Sequence, residues 1–383
     1  MLKHGDDVLI IGGGLQGCAI GLFLAKAGWK VTIVEKNLAG RHASSVNAGG
    51  LRLLERDIRE YPLSLRAMEM WRNLSDFVGV EAAEKCEVRL GASQIAIAMD
   101  SAELDWAKGR FNEMQRLGLG FEELIDPVEL HRLLPGLSDA VLGGLISRPD
   151  GHANPANAAL AFRNAAAAAG VKILEHCALH DLKPKAGGRW QASTDAGMLE
   201  ANWVINCGGA WGAELAALLG EHLPMRVYAP SMMVTARVKP FLTPVVIGID
   251  RPLSFKQSAA GSLVIGGGIS GKPCLNEGTS FTVMDRFTLG AAAVIEAFPA
   301  LAGVPVVRTW TGLEGKPPDS IPFIGPSSQH PGLWHVFGFS GHGFQLAPAV
   351  GEVVAQSLIS GRLDPRLAPF ATNRFSLNIS AQS

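Results

Sequence analysis

Gly12-Gly13-Gly14-Leu15-Gln16-Gly17 is the stretch whose residue types and spacing speak most directly of chemistry. It follows the apolar run Asp7–Ile11 and opens a helical pattern that stops at Gly28. A second apolar run, Lys30–Val34, comes next and is closed by Glu35. Strand, GxGxxG turn, helix, strand and acid within about 30 residues form the arrangement that holds a dinucleotide pyrophosphate. Gly12 permits the tight turn, Gly14 lets the backbone approach the phosphates, and Gly17 lets the helix pack on the sheet. The helix start at Leu15 and Gln16 offers free N–H groups and a positive dipole end. Glu35 is placed to accept hydrogen bonds from ribose hydroxyls, which disfavours NADP and leaves NAD and FAD both open. Two further glycine-rich segments stand out. Ser44-Ser45-Val46-Asn47-Ala48-Gly49-Gly50-Leu51 either brings backbone N–H groups to a diphosphate or is an ordinary surface turn. Gly338-Phe339-Ser340-Gly341-His342-Gly343-Phe344 follows the last predicted strand, Pro331–Gly338.

Other constellations are missing. The five cysteines, Cys18, Cys86, Cys177, Cys207 and Cys274, form no C-x-x-C pair, so their spacing offers neither a zinc nor an iron–sulfur site. Their odd number and apolar contexts suggest a reduced, intracellular chain. With 34 Lys+Arg against 35 Asp+Glu, the net charge of −1 argues against nucleic-acid binding, which needs a dense basic face. Hydrophobic residues make up 48% and charged residues 18%, which excludes a disordered chain and suggests surface covered by partner chains. No run of about 18 uncharged apolar residues is present, so no membrane span is expected. Residues 1–7 lack the apolar stretch of a signal peptide, which makes cytoplasmic placement the expectation.

At roughly 150 residues per domain, 383 residues suggest two or three domains. The elements fit that estimate. Within 57–78, Leu63, Ala67, Met70, Leu74 and Phe77 fall at spacings of four and three and form one buried helical face. Residues 88–99 read as strands, 104–117 and 127–133 as helices, and Asn154-Pro155 caps a helix ending at Gly170. Short strands then follow at 171–174 and 203–207. Residues 228–239, 245–249, 253–257 and 262–267 suggest a separate sheet, 279–298 a long helix, and a final helix begins near Pro348. The expected fold is α/β: a Rossmann-type nucleotide-binding domain (1–87, 149–222 and 305–383) and a discontinuous α+β substrate domain (88–148 and 223–304) on a mostly antiparallel sheet.

Together these motifs resemble the D-amino-acid-oxidase-like flavoproteins, in the branch of glycine oxidase and sarcosine oxidase. The resemblance covers nearly the whole chain. Its marks are Gly12–Gly17 with Glu35, the segment Arg41–Arg52, Asp150-Gly151 before Asn154-Pro155, and Gly209-Ala210-Trp211. They continue with Trp310-Thr311-Gly312-Leu313, Asp319, Pro322-Phe323-Ile324-Gly325 and Gly338–Phe344. The resemblance implies FAD as the cofactor, held by the opening glycine turn, Lys36, Arg41, the Ser44–Leu51 loop, Leu179, Cys207, Gly208, Trp211 and Gly312. The closing turn Gly338, Gly341, His342, Gly343, Phe344 and Gln345 completes the set. Related enzymes bond flavin through a His at the place of Asn47 or a Cys near that of Gly312. Neither is present, so FAD is expected to be non-covalent. Within the branch, the chain is similar to the flavin subunits of multi-component dehydrogenases for opines, D-hydroxyproline or sarcosine.

The same resemblance nominates substrate residues. Arg52 aligns with an arginine that grips the amino-acid carboxylate, a bidentate pairing suited to a planar guanidinium, with an ion pair to Glu55 or Asp57 as the alternative. Gln345 replaces a lysine that assists the same carboxylate. Glu314 stands where glycine oxidase has a carboxylate-binding arginine, so it would hold a distal cation or else pair with Lys316. His342 is either satisfied by its surroundings or a base. The lysine that assists oxygen chemistry in monomeric sarcosine oxidase has no match at 262–266, which favours another acceptor. The expectation is oxidation of the C–N bond of an amino acid or N-substituted amino acid by hydride transfer to flavin N5. The partners would be a small amino-acid substrate and iron–sulfur or other redox subunits in a hetero-oligomer. The alternative is a non-catalytic flavin-bearing relay or assembly subunit.

Overall fold

The computed structural model describes residues 7–375, so the reading of residues 1–6 lies outside them. Val8, Leu9 and Ile10 are buried on both faces of the strand Asp7–Ile11, the centre of a six-stranded sheet. Across that sheet the order is Phe323–Pro326, Leu333–Phe337, Trp203–Asn206, Asp7–Ile11, Lys30–Val34 and Lys172–Leu174. All pair in parallel except the edge strand Phe323–Pro326. Continuous apolar runs suit a parallel sheet covered on both sides. The helices Leu15–Lys26, Pro155–Ala168, Tyr61–Arg72 and Gly343–Ser360 share one hydrophobic core with it.

Alternating segments build the second sheet. Eleven strands, drawn from 94–147 and 226–316, pair mainly antiparallel, with Val245–Gly248 against Gln94–Ala98 the parallel contact. Its long spine, Arg226–Arg237, receives Val306–Thr311 and Glu314–Lys316 as well as Ser262–Gly266. A separate core of Ile95, Ile97, Phe255, Ile265 and Phe298 lies beneath this sheet.

Two expected helices are redrawn. Thr279–Phe281 is a strand that pairs with Ser270–Cys274, and the helix runs only over Met284–Ala297. A Leu275–Gly278 turn folds the chain back there, and the hydrogen bonds of a hairpin outweigh local helical propensity. The last helix begins at Gly343, five residues before Pro348, and is Gly343–Ser360. Pro348 lacks one N–H, but the helix buries nearly its whole length, so one lost bond does not decide its start. No described helix is long and apolar enough to cross a membrane.

Candidate active site

Gly12, Glu35 and Cys207 follow directly on three parallel strands, and all three line one crevice of about 360 Å³ at the strands' carboxyl ends. Ligands of open α/β sheets bind there. Gly12 has φ +107°, and a Cβ on it would lie 2.4 Å from the Cys207 carbonyl oxygen. A Cβ on Gly17 would lie 2.1 Å from the Gly12 carbonyl oxygen, so the helix can press on the turn only with glycine there. Gly14 is different: its Cβ would meet only Ser44 Oγ, at 3.2 Å, on the crevice side. Ser44 Oγ accepts the Leu15 N–H at 2.9 Å and fixes the Ser44 loop over the helix start.

Glu35 is held by its own neighbours. Its Oε2 accepts the Gly13 N–H at 2.8 Å and its Oε1 the Asn37 N–H at 2.9 Å, leaving lone pairs for ribose hydroxyls. Gln16 ties the two glycine turns together, donating Nε2–H to the Gly343 carbonyl at 2.8 Å. Its Oε1 is buried with no partner among the described residues. Lys36 Nζ sits 3.1 Å from the centre of the Trp211 ring, and burial lowers its pKa. His42 meets the same ring edge-on, and burial pulls its pKa down to about 4. An open backbone at Gly14, an acid beside the turn and an orphaned buried amide oxygen fit a dinucleotide lying along this wall.

Beyond it lies a second cavity of about 440 Å³. Ala43, Asn47, Leu313, Glu314, Gly341 and Phe344 line both spaces, so the two adjoin. Ala48, Gly49, Gly50 and Gly312, expected against the cofactor, line this second space, as do Arg52, Glu314 and His342. Arg52 Nη1 donates to the Leu54 carbonyl at 2.8 Å, and no described carboxylate pairs with it. Asp57 is taken by Arg59 at 2.9 Å, and the Glu55 Oε1 is buried with no hydrogen-bond partner among the described residues.

Glu314 is not paired with Lys316. Its Oε2 accepts the Tyr228 hydroxyl at 3.0 Å, its Oε1 accepts the Gly341 N–H, and burial raises its pKa. Both oxygens are engaged, so the carboxyl holds the closing glycine turn against the spine strand. Gln345 lies off both cavities. Its Oε1 accepts Arg56 Nη2–H at 3.2 Å and its Nε2 donates to the Ser64 carbonyl at 2.9 Å. The early helix start turns this residue into the core. Arg41 is exposed and His42 takes its place on the crevice wall. Gly17, Ser45 and Leu51 pack behind the walls and line neither space.

The sequence alone showed no sign of the network beneath His342. Its Nδ1 lies 3.0 Å from Glu60 Oε2, and Glu60, fully buried, also pairs with Arg56 at 3.3 Å. Burial and the Arg56 charge pull the His342 pKa down to about 4, so the ring is neutral, with Nδ1–H donating to Glu60. Arg56→Met strands that carboxylate, and losing one partner of a buried pair is expected to cost about 3–5 kcal/mol. The check is the denaturant midpoint of the FAD-loaded protein. An unshifted midpoint would mean that His342 alone satisfies Glu60. Lys256 and Tyr228 were also missed. Lys256 lies between buried Phe255 and Gln257, so strand alternation turns it to the opposite, cavity face.

The family model described as DAO, FAD dependent oxidoreductase, matches residues 7–357. Glycine oxidase of Geobacillus kaustophilus (strain HTA426) is 28% identical, over 97% of this chain and 98% of its own length. A chain of the opine oxidase of Agrobacterium tumefaciens (strain Ach5), named as one of that enzyme's subunits, is 25% identical, over 96% and 97%. The crystal structure of L-proline dehydrogenase from P. horikoshii superposes with a TM-score of 0.88 at 26% identity, covering 98% of this chain and 99% of that one. The chain spans about 45% of the length of the mitochondrial dimethylglycine dehydrogenases it also matches. A match over nearly the whole chain agrees with the turn, acid and crevice described above. The protein belongs to the DAO family of FAD-dependent oxidoreductases.

Proposed function

We propose that the chain oxidises the C–N bond of an amino acid or N-substituted amino acid, with FAD held non-covalently in the first crevice and substrate in the second cavity. The observation that carries this reading is Arg52: a guanidinium with no described carboxylate partner, in a cavity that shares a wall with the dinucleotide crevice. Such a fork binds a carboxylate bidentately and so sets orientation as well as affinity. The relatives' names, glycine oxidase and opine oxidase, support substrates of that kind. Bound FAD supplies a two-electron acceptor for the hydride on the substrate's α-carbon.

The protein's own residues do the positioning. Arg52 fixes one end of the substrate. Neutral His342, with Nδ1–H committed to Glu60, leaves Nε2 to accept a hydrogen bond from the substrate amine. Met232, Val264 and Leu313 line the cavity with apolar surface and keep water from the reacting carbon. No strong base is needed for alignment of this kind. Strands Val306–Thr311 and Glu314–Lys316 are assigned to the substrate domain because they pair in its sheet. Exposed Phe281, Met284 and Leu289, together with the opine oxidase relative's description as a subunit, support assembly with other redox chains.

The test is anaerobic mixing of the yellow holoenzyme with glycine, sarcosine, proline and a panel of D- and L-amino acids. Bleaching of the flavin by one class supports the proposal. Bleaching by none overturns it in favour of a non-catalytic flavin-bearing subunit. Glu314→Gln gives a second check. It is expected to weaken FAD retention about tenfold, the worth of one charge-assisted hydrogen bond at roughly 1.4 kcal/mol per decade. Substrates with and without a distal cation should lose rate equally. A loss confined to cationic substrates would make the carboxylate a recognition group.

A further inference from the structure

The substrate cavity contains more positive charge than one carboxylate needs. Of its basic side chains, Arg251 is spent on Glu103 at 2.7 Å and on Glu296 at 3.2 Å. Arg56 is spent on Glu60 and Gln345. Two remain. Arg52 has the Leu54 carbonyl as its hydrogen-bond partner. Lys256 has only a long contact, from Nζ to the Ala153 carbonyl at 3.3 Å, and no described carboxylate forms an ion pair with it.

Lys256 rises from the strand Ser254–Gln257 of the substrate sheet, whereas Arg52 follows the strand Gly50–Leu51, which pairs with Gly151–His152 in a separate small sheet. The two cations therefore enter the cavity from different walls. Burial draws the lysine pKa down to about 8, yet most of the group stays protonated at neutral pH. A half-buried ammonium with no ion-pair partner among the described residues, and only the more distant charge of Glu87 acting on it, is expensive to keep, and a ligand anion removes that penalty. The cavity's carboxyls do not serve. Glu314 is bound to Tyr228 and Gly341, and burial raises the pKa of Glu55, whose Oε1 has no hydrogen-bond partner among the described residues.

We infer that Lys256 binds a second carboxylate, so that the substrate is a dicarboxylic amino acid spanning the cavity from Arg52 to Lys256. The inference rests on the proposed amino-acid oxidation and narrows its substrate class. The second carboxylate can sit on the nitrogen substituent, as in iminodiacetate and the opines, or on the side chain, as in glutamate.

Matched pairs test it: iminodiacetate against N-ethylglycine, and glutamate against glutamine, each titrated into wild-type and Lys256→Met holoenzyme. Dissociation constants come from perturbation of the flavin absorption and from the shift in melting temperature, so they need no turnover. Reduction rates are recorded separately. Wild type is expected to bind the dicarboxylate of one pair about 10- to 100-fold more tightly, as one buried charge-assisted bond allows. Lys256→Met should erase that preference and leave the monocarboxylate within about twofold, with Lys256→Arg restoring part of it. The pair that shows the preference reveals which arm carries the second carboxylate. Equal binding within both pairs, or an equal loss for both members in Lys256→Met, overturns the inference. So does a variant that changes only reoxidation by oxygen. Preference in binding without flavin reduction would sink the oxidation proposal and leave the Lys256 assignment standing.

Discussion

Arg52→Ala is expected to keep its full complement of FAD and to lose about 30- to 300-fold in the ratio of flavin-reduction rate to substrate dissociation constant. The residue lines the substrate cavity and not the dinucleotide crevice, which is why the cofactor stays. Truncating one partner of a buried charged pair costs about 2–5 kcal/mol. Arg52 is half-buried, so the lower part of that range applies. Most of the loss should appear as weaker substrate binding, because a carboxylate grip is made before and during hydride departure alike. Arg52→Lys should recover charge without the bidentate geometry and so restore binding more than rate. Anaerobic stopped-flow reduction checks this. Unchanged kinetics in Arg52→Ala would remove Arg52 from the site and with it the observation on which the substrate reading stands.

Gly14→Val is expected to give a folded, colourless protein. The backbone at Gly14 is extended, φ −69° and ψ 179°, a conformation open to any residue, so the fold itself has no need of glycine there. The branched side chain would instead project past Ser44 into the space where phosphates approach the backbone. Loss of that approach should raise the FAD dissociation constant at least about 100-fold, since several backbone N–H bonds to an anion are lost together. Gly12→Ala is the contrast. It meets the Cys207 carbonyl and sits at positive φ, so it should lower stability as well as FAD content. The two variants separate a cradle from a structural turn: absorbance near the flavin band reports the first, thermal melting of the apoprotein the second. A yellow Gly14→Val protein with wild-type affinity would place the diphosphate elsewhere.

The early elements could be read from the sequence because their causes are local. Asp7–Ile11 and Lys30–Val34 lie where the apolar runs placed them, and the parallel register Val8 to Val31 follows from the helix between them. The boundaries of the later helices depend on tertiary burial. Pro348 suggested a start that burial of Phe344–Leu346 moved forward, and that shift carried Gln345 from the cavity wall into the core. A residue's direction on a helix changes by about 100° per position, so a small boundary error redirects a side chain altogether.

By itself, then, the amino-acid order determined the dinucleotide cradle: glycine turn, helix start and acid lie within one short stretch, and their geometry follows from backbone sterics and adjacent strands. Only the tertiary structure decided the substrate cavity. Glu60 and His342 are 282 positions apart and Arg56 and Gln345 are 289 apart, yet they bond directly. Arg52 and Lys256 face one space from two different sheets. Which cations remain free for a ligand depends on which others packing has already paired, and that is a property of the assembled core that no local pattern encodes.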